Sequence, residues 1–274
     1  MRFRAFHWLF FLLLVLPAYA DSILGTAGSF GVLAGSNIAN VGASTVTGNV
    51  GVAPGTVITG FPPGAATGTI YSAGGVATQA QTDATAAYNG LAGMAVTDTL
   101  TGTDLGGLTL TPGVYEFASS AQLTGALTLD GEGNDNALWV FLIGSTLTTA
   151  SGSSVSVTDS GPNDGIFWDV GSSATLGTTT EFEGNILASA SIALDNGATI
   201  GCGSALASTG AVTMNTNTIS TGCNGGGTLA NGVITALPAT STPGTSTVPE
   251  PASIFLFGSG LVSLAGWGRR KLRK

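Results

Sequence analysis

The chain has 274 residues, of which 43 are glycine and only 8% are charged, and its formal net charge is −8. All its Lys, Arg and His residues lie at the two ends, so that none occurs between Asp21 and Val248. This composition excludes nucleic-acid binding, which needs cations opposite the phosphates, as well as histidine- or lysine-dependent catalysis and histidine-containing metal sites. What remains is chemistry that uses carboxylates alone, calcium binding by oxygen ligands, or no chemistry at all. Of these we expect the last, a protein that is not an enzyme and needs no cofactor.

The N-terminal segment, residues 1–20, has the pattern of a secretory signal peptide. Arg2 and Arg4 precede an apolar run, and the small-residue sequence Ala18-Tyr19-Ala20 follows it. This order is typical of a cleavable signal rather than of a folded element, so we expect export of the remaining chain. In an exported chain, the two cysteines, Cys202 and Cys223, are expected to form a disulfide.

One segment has helical rather than β periodicity. Residues 73–95 are rich in Ala and Gln, and their apolar residues recur at helical spacing, namely Val76, Ala80, Ala84, Ala87, Leu91 and Met94. The pattern predicts one amphipathic helix over roughly residues 75–93. The apolar stripe of this helix is narrow and made mostly of small side chains, so we expect the helix to pack closely on a sheet.

From Leu105 onward the sequence consists of short β-type runs separated by turn residues. Four similar segments begin at Phe141, Trp168, Asn185 and Ser204, and the last three begin 17 and 19 residues apart. Internal repetition at this period predicts the stacked turns of a three-sided parallel β-helix, or solenoid. The fold class is therefore all-β with one long helix packed alongside the solenoid. Residues 225–248, which are rich in Gly, Thr, Pro and Ser, are predicted to form a flexible linker.

The C-terminal segment, residues 249–274, contains the sequence Pro249-Glu250-Pro251, an apolar stretch from Ala252 to Gly268 and a basic end. The apolar stretch is at the short limit of a membrane helix. The order of these three features resembles the PEP-CTERM sorting signal of Gram-negative bacteria. That resemblance implies temporary insertion in the inner membrane, processing by an exosortase, and a mature protein that is released or held at the cell surface. A permanent single-pass anchor is the alternative.

The body of the chain resembles a known domain over about residues 24–223. The matching segments are Leu24–Ala27, Phe30–Ser36, Gly48–Val52, Pro54-Gly55, Gly60–Gly64, the Ala/Gln helix, Leu105–Tyr115 and Gly184–Ala188. They resemble, in order, the ice-binding-protein-like domain of bacteria and fungi. The resemblance implies a domain over 21–224 that is a discontinuous β-helix of roughly triangular section. It also implies binding to an ice surface through one flat, weakly polar face, without a cofactor.

Strand alternation then predicts which residues form such a face. In the strand after each Gly/Ala-Ser corner, Leu147, Leu176, Ile192 and Val212 would point inward. The outward candidates for ice binding are Thr146, Thr148, Ser173, Thr175, Ser191, Ala193, Ala211 and Thr213. A shift by one residue would invert this assignment. The neighbouring ladder contains Glu181, with Glu183 close by, which makes it a poorer match to an uncharged lattice.

Carboxylates suggest two other sites, neither of which we favour. Residues 130–136 resemble half of a calcium-binding loop, but they lack its downstream glutamate, so a solvated turn is the better interpretation. Asp159, Asp164 and Asp169 could in principle supply a glycosidase pair. They fall at Gly/Asn-rich turns with little aromatic surface around them. The sequence thus predicts ice binding first, a structural or adhesive role in the extracellular matrix second, and a polysaccharide module last.

Overall fold

The computed structural model describes residues 21–240, all of which belong to one compact unit that ends at Ser241. The predicted signal peptide and the sorting segment at 249–274 lie outside the described residues.

The first third of the described chain forms short strands, a 3₁₀ helix and one α-helix. In chain order these elements are β1 (Asp21–Ser22), the 3₁₀ helix (Gly25–Ser29), β2 (Phe30–Ala34), β3 (Asn37–Val41), β4 (Thr45–Thr47), β5 (Asn49–Val52), β6 (Val57–Thr59), β7 (Ala65–Ala66), β8 (Ile70–Ser72) and α1 (Gly75–Ala92).

The rest of the described chain is built of strands. They are β9 (Asp98–Thr99), β10 (Thr109–Leu110), β11 (Gly113–Phe117), β12 (Ala121–Leu123), β13 (Ala126–Asn134), β14 (Leu138–Ile143), β15 (Leu147–Thr149), β16 (Ser154–Ser160), β17 (Gly165–Val170), β18 (Ala174–Leu176), β19 (Glu181–Glu183), β20 (Asn185–Ala188), β21 (Ile192–Leu194), β22 (Thr199–Cys202), β23 (Ala205–Ala207), β24 (Val212–Asn215), β25 (Thr218–Ser220), β26 (Gly227–Ala230) and β27 (Val233–Ala236).

Three parallel sheets form the sides of the solenoid. Face A has the strand order β8-β5-β2-β23-β20-β17-β14-β11-β9, face B the order β12-β15-β18-β21-β24-β3-β6, and face C the order β10-β13-β16-β19-β22-β25-β4-β7. Each turn of the chain, such as β14, β15 and β16, gives one strand to each face in succession. This arrangement confirms the predicted three-sided parallel β-helix.

The solenoid is discontinuous because its first turn packs on its last. Strand β2 pairs with β23, β3 with β24 and β4 with β25, all in parallel. The opening segment therefore supplies the turns at one end of the solenoid. As a result, all three faces continue across a junction between residues far apart in sequence, for example Val212 opposite Ile38.

The interior is filled by apolar side chains that include an aromatic stack. The ring centroids of Tyr115 and Phe141 are 5.6 Å apart, those of Phe141 and Trp168 are 3.8 Å apart, and those of Trp168 and Phe182 are 4.9 Å apart. The Trp168 indole also donates a hydrogen bond to the carbonyl of Glu183 at 3.0 Å. Rigid rings in successive turns hold the strands of neighbouring turns at a fixed spacing.

The predicted helix is present and covers face A. It spans Gly75–Ala92, and its buried residues are Ala77, Ala80, Ala84, Ala87, Gly90 and Leu91. Val76 was wrongly placed in the buried stripe, since half of it is exposed and Ala77 takes the inward position instead. Among the helices of the described residues, none is both long and apolar enough to cross a membrane.

The prediction of a flexible linker from residue 225 is wrong for its first part. Strands β26 and β27 form an antiparallel hairpin, and β26 also pairs with β1. Asn231 and Gly232 both have positive φ angles, of 50° and 77°, as a two-residue hairpin turn requires. Leu229 and Ile234 pack on the helix at Gly90, where an added Cβ would lie only 3.0 Å from Leu229 Cδ1.

The predicted disulfide is confirmed. Cys202 and Cys223 are bonded, with their Cα atoms 5.5 Å apart and a sequence separation of 21. The bond joins the end of β22 to the segment that leads from the last turn of the solenoid to the hairpin.

Candidate functional site

Face B is the side of the solenoid that carries the predicted binding residues. The helix packs on face A, and no described element covers face B. The buried row of face B is, in strand order, Ala121, Leu147, Ala174, Ile192, Val212 and Ile38. Leu176 is also buried, but it lies two residues after Ala174 on the same strand, where it pairs with Leu194.

All eight predicted residues lie on the outer side of face B. Thr146, Ser173, Ser191 and Ala211 each precede the buried row by one residue, and Thr148, Thr175, Ala193 and Thr213 each follow it by one. Thr148 and Thr213 are exposed, and the other six are partly exposed. We call the residues before the buried row the first outer row and those after it the second outer row. Residues of the second row pair in register, with Thr148 opposite Thr175, Thr175 opposite Ala193 and Ala193 opposite Thr213.

The face is longer than the four predicted turns. Strand β12 extends the second row by Gln122 at one end, and strands β3 and β6 extend it by Ala39 and Thr59 at the other. The seven strands span about 29 Å, given a strand spacing of about 4.8 Å. Sequence reasoning missed Ala39 and Thr59 because the repeat pattern gives no sign that the opening segment docks beside β24.

The two outer rows differ in how their hydroxyl groups are used. In the first row, Thr146 Oγ1 donates to Ser120 Oγ at 2.9 Å, while the hydroxyl oxygens of Ser173 and Ser191 accept backbone N–H bonds from the next turn at 3.3 and 3.2 Å. In the second row, the hydroxyls of Thr148, Thr175 and Thr213 have no hydrogen-bond partner within residues 21–240. The first row therefore fixes the turns, and the second presents free hydroxyls to the surroundings.

Buried polar side chains hold the corner between faces B and C. The hydroxyls of Thr149 and Thr180 are hydrogen-bonded at 2.8 Å. Asn217 Nδ2 donates to the carbonyls of Asp195 and Ala198 at 2.8 and 2.9 Å. These bonds satisfy turn carbonyls away from water, which keeps the edge of face B in one conformation.

Charge distinguishes face B from face C. The strands of face B contain no acidic residue. On face C, Glu181 is exposed in the middle of the sheet, between Ser154 and Thr199. Glu183 lies on the same strand, and burial raises the pKa of its carboxyl despite a hydrogen bond from the backbone of Cys202. Two acidic residues lie at the margins of face B: Asp195 directly follows β21, and Asp104 forms an isolated bridge with Gln122 at the β12 end.

The segment 130–136 uses its side-chain oxygens locally. Asp130 Oδ1 accepts the N–H of Glu132 at 3.0 Å, and Asn134 Oδ1 accepts the N–H groups of Asn136 and Thr240 at 3.0 and 3.1 Å. Residues 130–134 are the end of strand β13, where its pairing with β16 shifts in register, and only Asp135 and Asn136 form a turn. The predicted turn is therefore wrong for most of this segment, and the side-chain oxygens of Asp130 and Asn134 accept local backbone N–H groups.

The structure does not bring the three candidate catalytic aspartates together. Asp164 accepts the N–H groups of Ala137 and Gly161 at 3.0 and 3.1 Å and lines a cavity beside the disulfide. Asp169 lines a different cavity, next to Tyr88 of the helix. Asp159 is exposed near the end of strand β16, so its predicted position in a turn is wrong. A glycosidase pair needs two carboxyls flanking one bond, and this arrangement does not provide it.

The described residues contain one group of three potential metal ligands, namely Glu183, Cys202 and Cys223. Both thiols of this group are joined in the disulfide. Cysteine binds zinc as a thiolate, so in the oxidised protein only Glu183 of this group could act as a ligand.

Comparison with known proteins agrees with this geometry. The profile of the ice-binding-like family matches residues 32–220. The chain belongs to the ice-binding-like family. It is 53% identical over 258 residues to an ice-binding protein of Nostoc sp. (strain HG1), which covers 94% of this chain and 90% of that relative. A PEP-CTERM protein-sorting motif matches residues 247–274.

Solved structures in the ice-binding-like family share the fold. A crystal structure of an ice-binding protein from an Antarctic biological consortium has a TM-score of 0.70 and 45% identity, covering 73% of this chain and 91% of that one. The ice-binding protein of the Antarctic ascomycete Antarctomyces psychrotrophicus has a TM-score of 0.69 and 42% identity, covering 73% and 98% of the two chains.

Proposed function

We propose that this ice-binding-like protein adsorbs to ice through face B, and so inhibits the growth and recrystallisation of ice around the cell. The observation that carries the proposal is that face B is uncovered and free of acidic residues along all seven of its strands. Face A is covered by the helix, and face C is interrupted by Glu181. The ice-binding proteins among its relatives support the same conclusion.

Adsorption follows from the regularity of the face. Ice presents an uncharged, periodic lattice, and the second row repeats short Thr and Ala side chains at a strand spacing of about 4.8 Å. Each side chain contributes little, so binding depends on many of them meeting the lattice together. The aromatic stack and the polar corner supply the rigid support that this requires. The proposed function is adsorption to ice, which requires neither catalysis nor a cofactor.

The sorting signal indicates where the mature protein would bind ice. The PEP-CTERM motif at 247–274 supports processing by an exosortase after temporary insertion of the segment in the inner membrane. A signal peptide over residues 1–20 would start this route. The mature protein would then act at the cell surface or outside the cell.

The test is a thermal-hysteresis and recrystallisation assay on residues 21–241, with a matched pair of variants. Thr175→Tyr places a bulky side chain near the centre of face B and should abolish activity. Ser156→Tyr introduces the same side chain on β16 of face C, next to Ser154, which lies opposite Glu181, and should leave activity nearly unchanged. Equal loss in both variants would show that the wrong face has been chosen. A wild-type protein without hysteresis or crystal shaping would exclude ice binding and favour the structural or adhesive role.

A further inference from the structure

A carboxyl group occupies an apolar row on the helix-facing side of face A. Following the strand pairs across the sheet, this row contains Leu33, Leu206, Leu187, Asp169, Leu142 and Glu116. At Asp169 an ionisable side chain therefore takes a position that leucine occupies in the neighbouring strands.

Asp169 is buried without a countercharge. Only 4% of the residue is exposed, and Oδ2 has no hydrogen-bond partner in the described part of the chain. The Tyr88 hydroxyl of α1 acts as a hydrogen-bond donor to the carboxyl, although this bond offsets only part of the cost of burial. Lys, Arg and His are absent between Asp21 and Val248, so no side chain of the body can neutralise an ionised Asp169. The compensating charge has to come from outside the body, as a proton or as a bound cation.

A cavity of about 500 Å³ adjoins this carboxyl, beside Tyr88 and the last residue of the helix, Ala92. Leu142, Ala92 and Ala118 supply the aliphatic part of its wall, whereas Phe117 and Ile143 turn their side chains into the core of the solenoid. Glu116 lines the same cavity two strands from Asp169, which is about 10 Å at the usual strand spacing. The cavity therefore combines a buried carboxyl that has one oxygen without a hydrogen-bond partner, an aliphatic surface and a second acidic group.

This combination fits an organic cation better than a metal ion. Calcium takes six to eight oxygen ligands, whereas the side-chain oxygens here belong to Asp169, Tyr88 and the more distant Glu116. A primary ammonium group needs only a few acceptors, and its alkyl chain gains free energy by contact with Leu142 and Ala92, which line the cavity. We propose that the cavity binds a small organic cation through a primary ammonium group that pairs with Asp169, with its alkyl chain against the apolar wall.

Protonation of the site sets the conditions of the test. Burial raises the pKa of Asp169 to about 7. The titratable groups that face it are Tyr88, whose pKa is raised by burial and by the Asp169 charge, and Glu116. The carboxyl is about nine-tenths ionised at pH 8 and only a few hundredths ionised at pH 5.5, so the affinity for an ammonium ion should fall about thirtyfold between these values.

The experiment is titration of the protein with n-butylammonium chloride in phosphate buffer free of other amines, followed by calorimetry and by NMR shifts of the cavity residues Gly144 and Gly171. Sodium chloride and calcium chloride serve as ionic controls. We expect saturable binding at pH 8, about thirtyfold weaker binding at pH 5.5, and loss of binding in Asp169→Asn. Glu181→Gln, which removes an exposed carboxyl from face C, should bind like the wild type.

Three results would overturn the proposal. They are the absence of saturable binding at pH 8, undiminished binding by Asp169→Asn, and equal shifts at Gly144 and Gly171 with calcium, which would indicate a metal site. Should Asp169→Asn fold poorly, Tyr88→Phe provides a second variant, because loss of the hydroxyl beside Asp169 should weaken binding at pH 8. The readouts do not involve ice, so the result is independent of the function proposed for face B.

Discussion

The carboxyl of Asp169 should make the stability of this protein depend on pH. Burial raises its pKa to about 7 in the folded protein, against an ordinary value of 3.8. Between about pH 4 and pH 7 the folded chain therefore keeps a proton that the unfolded chain releases. The stability linked to this group is fully present below about pH 4 and is lost as the pH rises through 7.

The size of this change in stability follows from the shift in the pKa of Asp169. A difference of about three pKa units, at about 1.4 kcal/mol each, amounts to about 4 kcal/mol. Asp169→Asn keeps the shape of the protonated carboxyl and never ionises. The variant should match the wild type near pH 4 and be more stable by about 4 kcal/mol at pH 8. Burial also raises the pKa values of Asp164 and Glu183, but these groups act equally in both proteins and cancel in the comparison.

Urea unfolding at pH 4.5, 6, 7 and 8, in buffers without amines, measures this difference. The free energy of unfolding of the wild type should fall below that of Asp169→Asn as the pH rises, whereas Glu181→Gln should follow the wild type throughout. If Asp169→Asn differs from the wild type by the same amount at pH 4.5 and pH 8, Asp169 does not titrate between folded and unfolded states as argued.

Three further predictions concern the hairpin, the disulfide and the first turn of the solenoid. A chain that ends at Asn224 should have a free energy of unfolding about 3 kcal/mol lower than a chain that ends at residue 241, because it lacks the apolar contacts of the hairpin with the helix. Equal stability of the two chains in urea would mean that the hairpin is dispensable. Replacing Cys202 and Cys223 by Ala should lower the free energy of unfolding by about 3 kcal/mol in the same assay. An unchanged urea midpoint would show that the disulfide does not stabilise the fold. Ala39→Tyr should reduce thermal hysteresis as strongly as a central change on face B, while Thr47→Tyr on face C of the same turn should not. Full activity in Ala39→Tyr would limit the binding face to the later turns.

The sequence was sufficient to predict the elements whose signal is local. The helix was predicted at 75–93 and spans Gly75–Ala92, because its Ala-rich stripe repeats at helical spacing. The outward side of face B was predicted from alternation within each repeat. It holds because Leu147, Ile192 and Val212 could not be exposed without losing their contacts in the core.

What the sequence did not reveal depends on contacts between distant segments. The position of Ala39 on face B depends on docking of the first turn against the last, which no repeat pattern encodes. The hairpin after Gly225 had a usable local signal in Asn231-Gly232, but glycine-rich composition led to its interpretation as a linker. Asp169 was judged as a turn residue, whereas it belongs to a strand whose two sides are both buried.

The junction between the first and last turns makes the binding plane a property of the finished chain. Thr45 and Thr218, whose hydroxyls meet at 3.3 Å across this junction, are 173 residues apart in sequence. Closing so long a loop has an entropic cost, which the pairings at the junction offset. During synthesis and export, an incomplete chain would hold the turns of face B as two separate groups. The continuous surface of seven strands requires the pairing of β3 with β24, so a molecule in which this pairing is broken would present face B as two shorter surfaces.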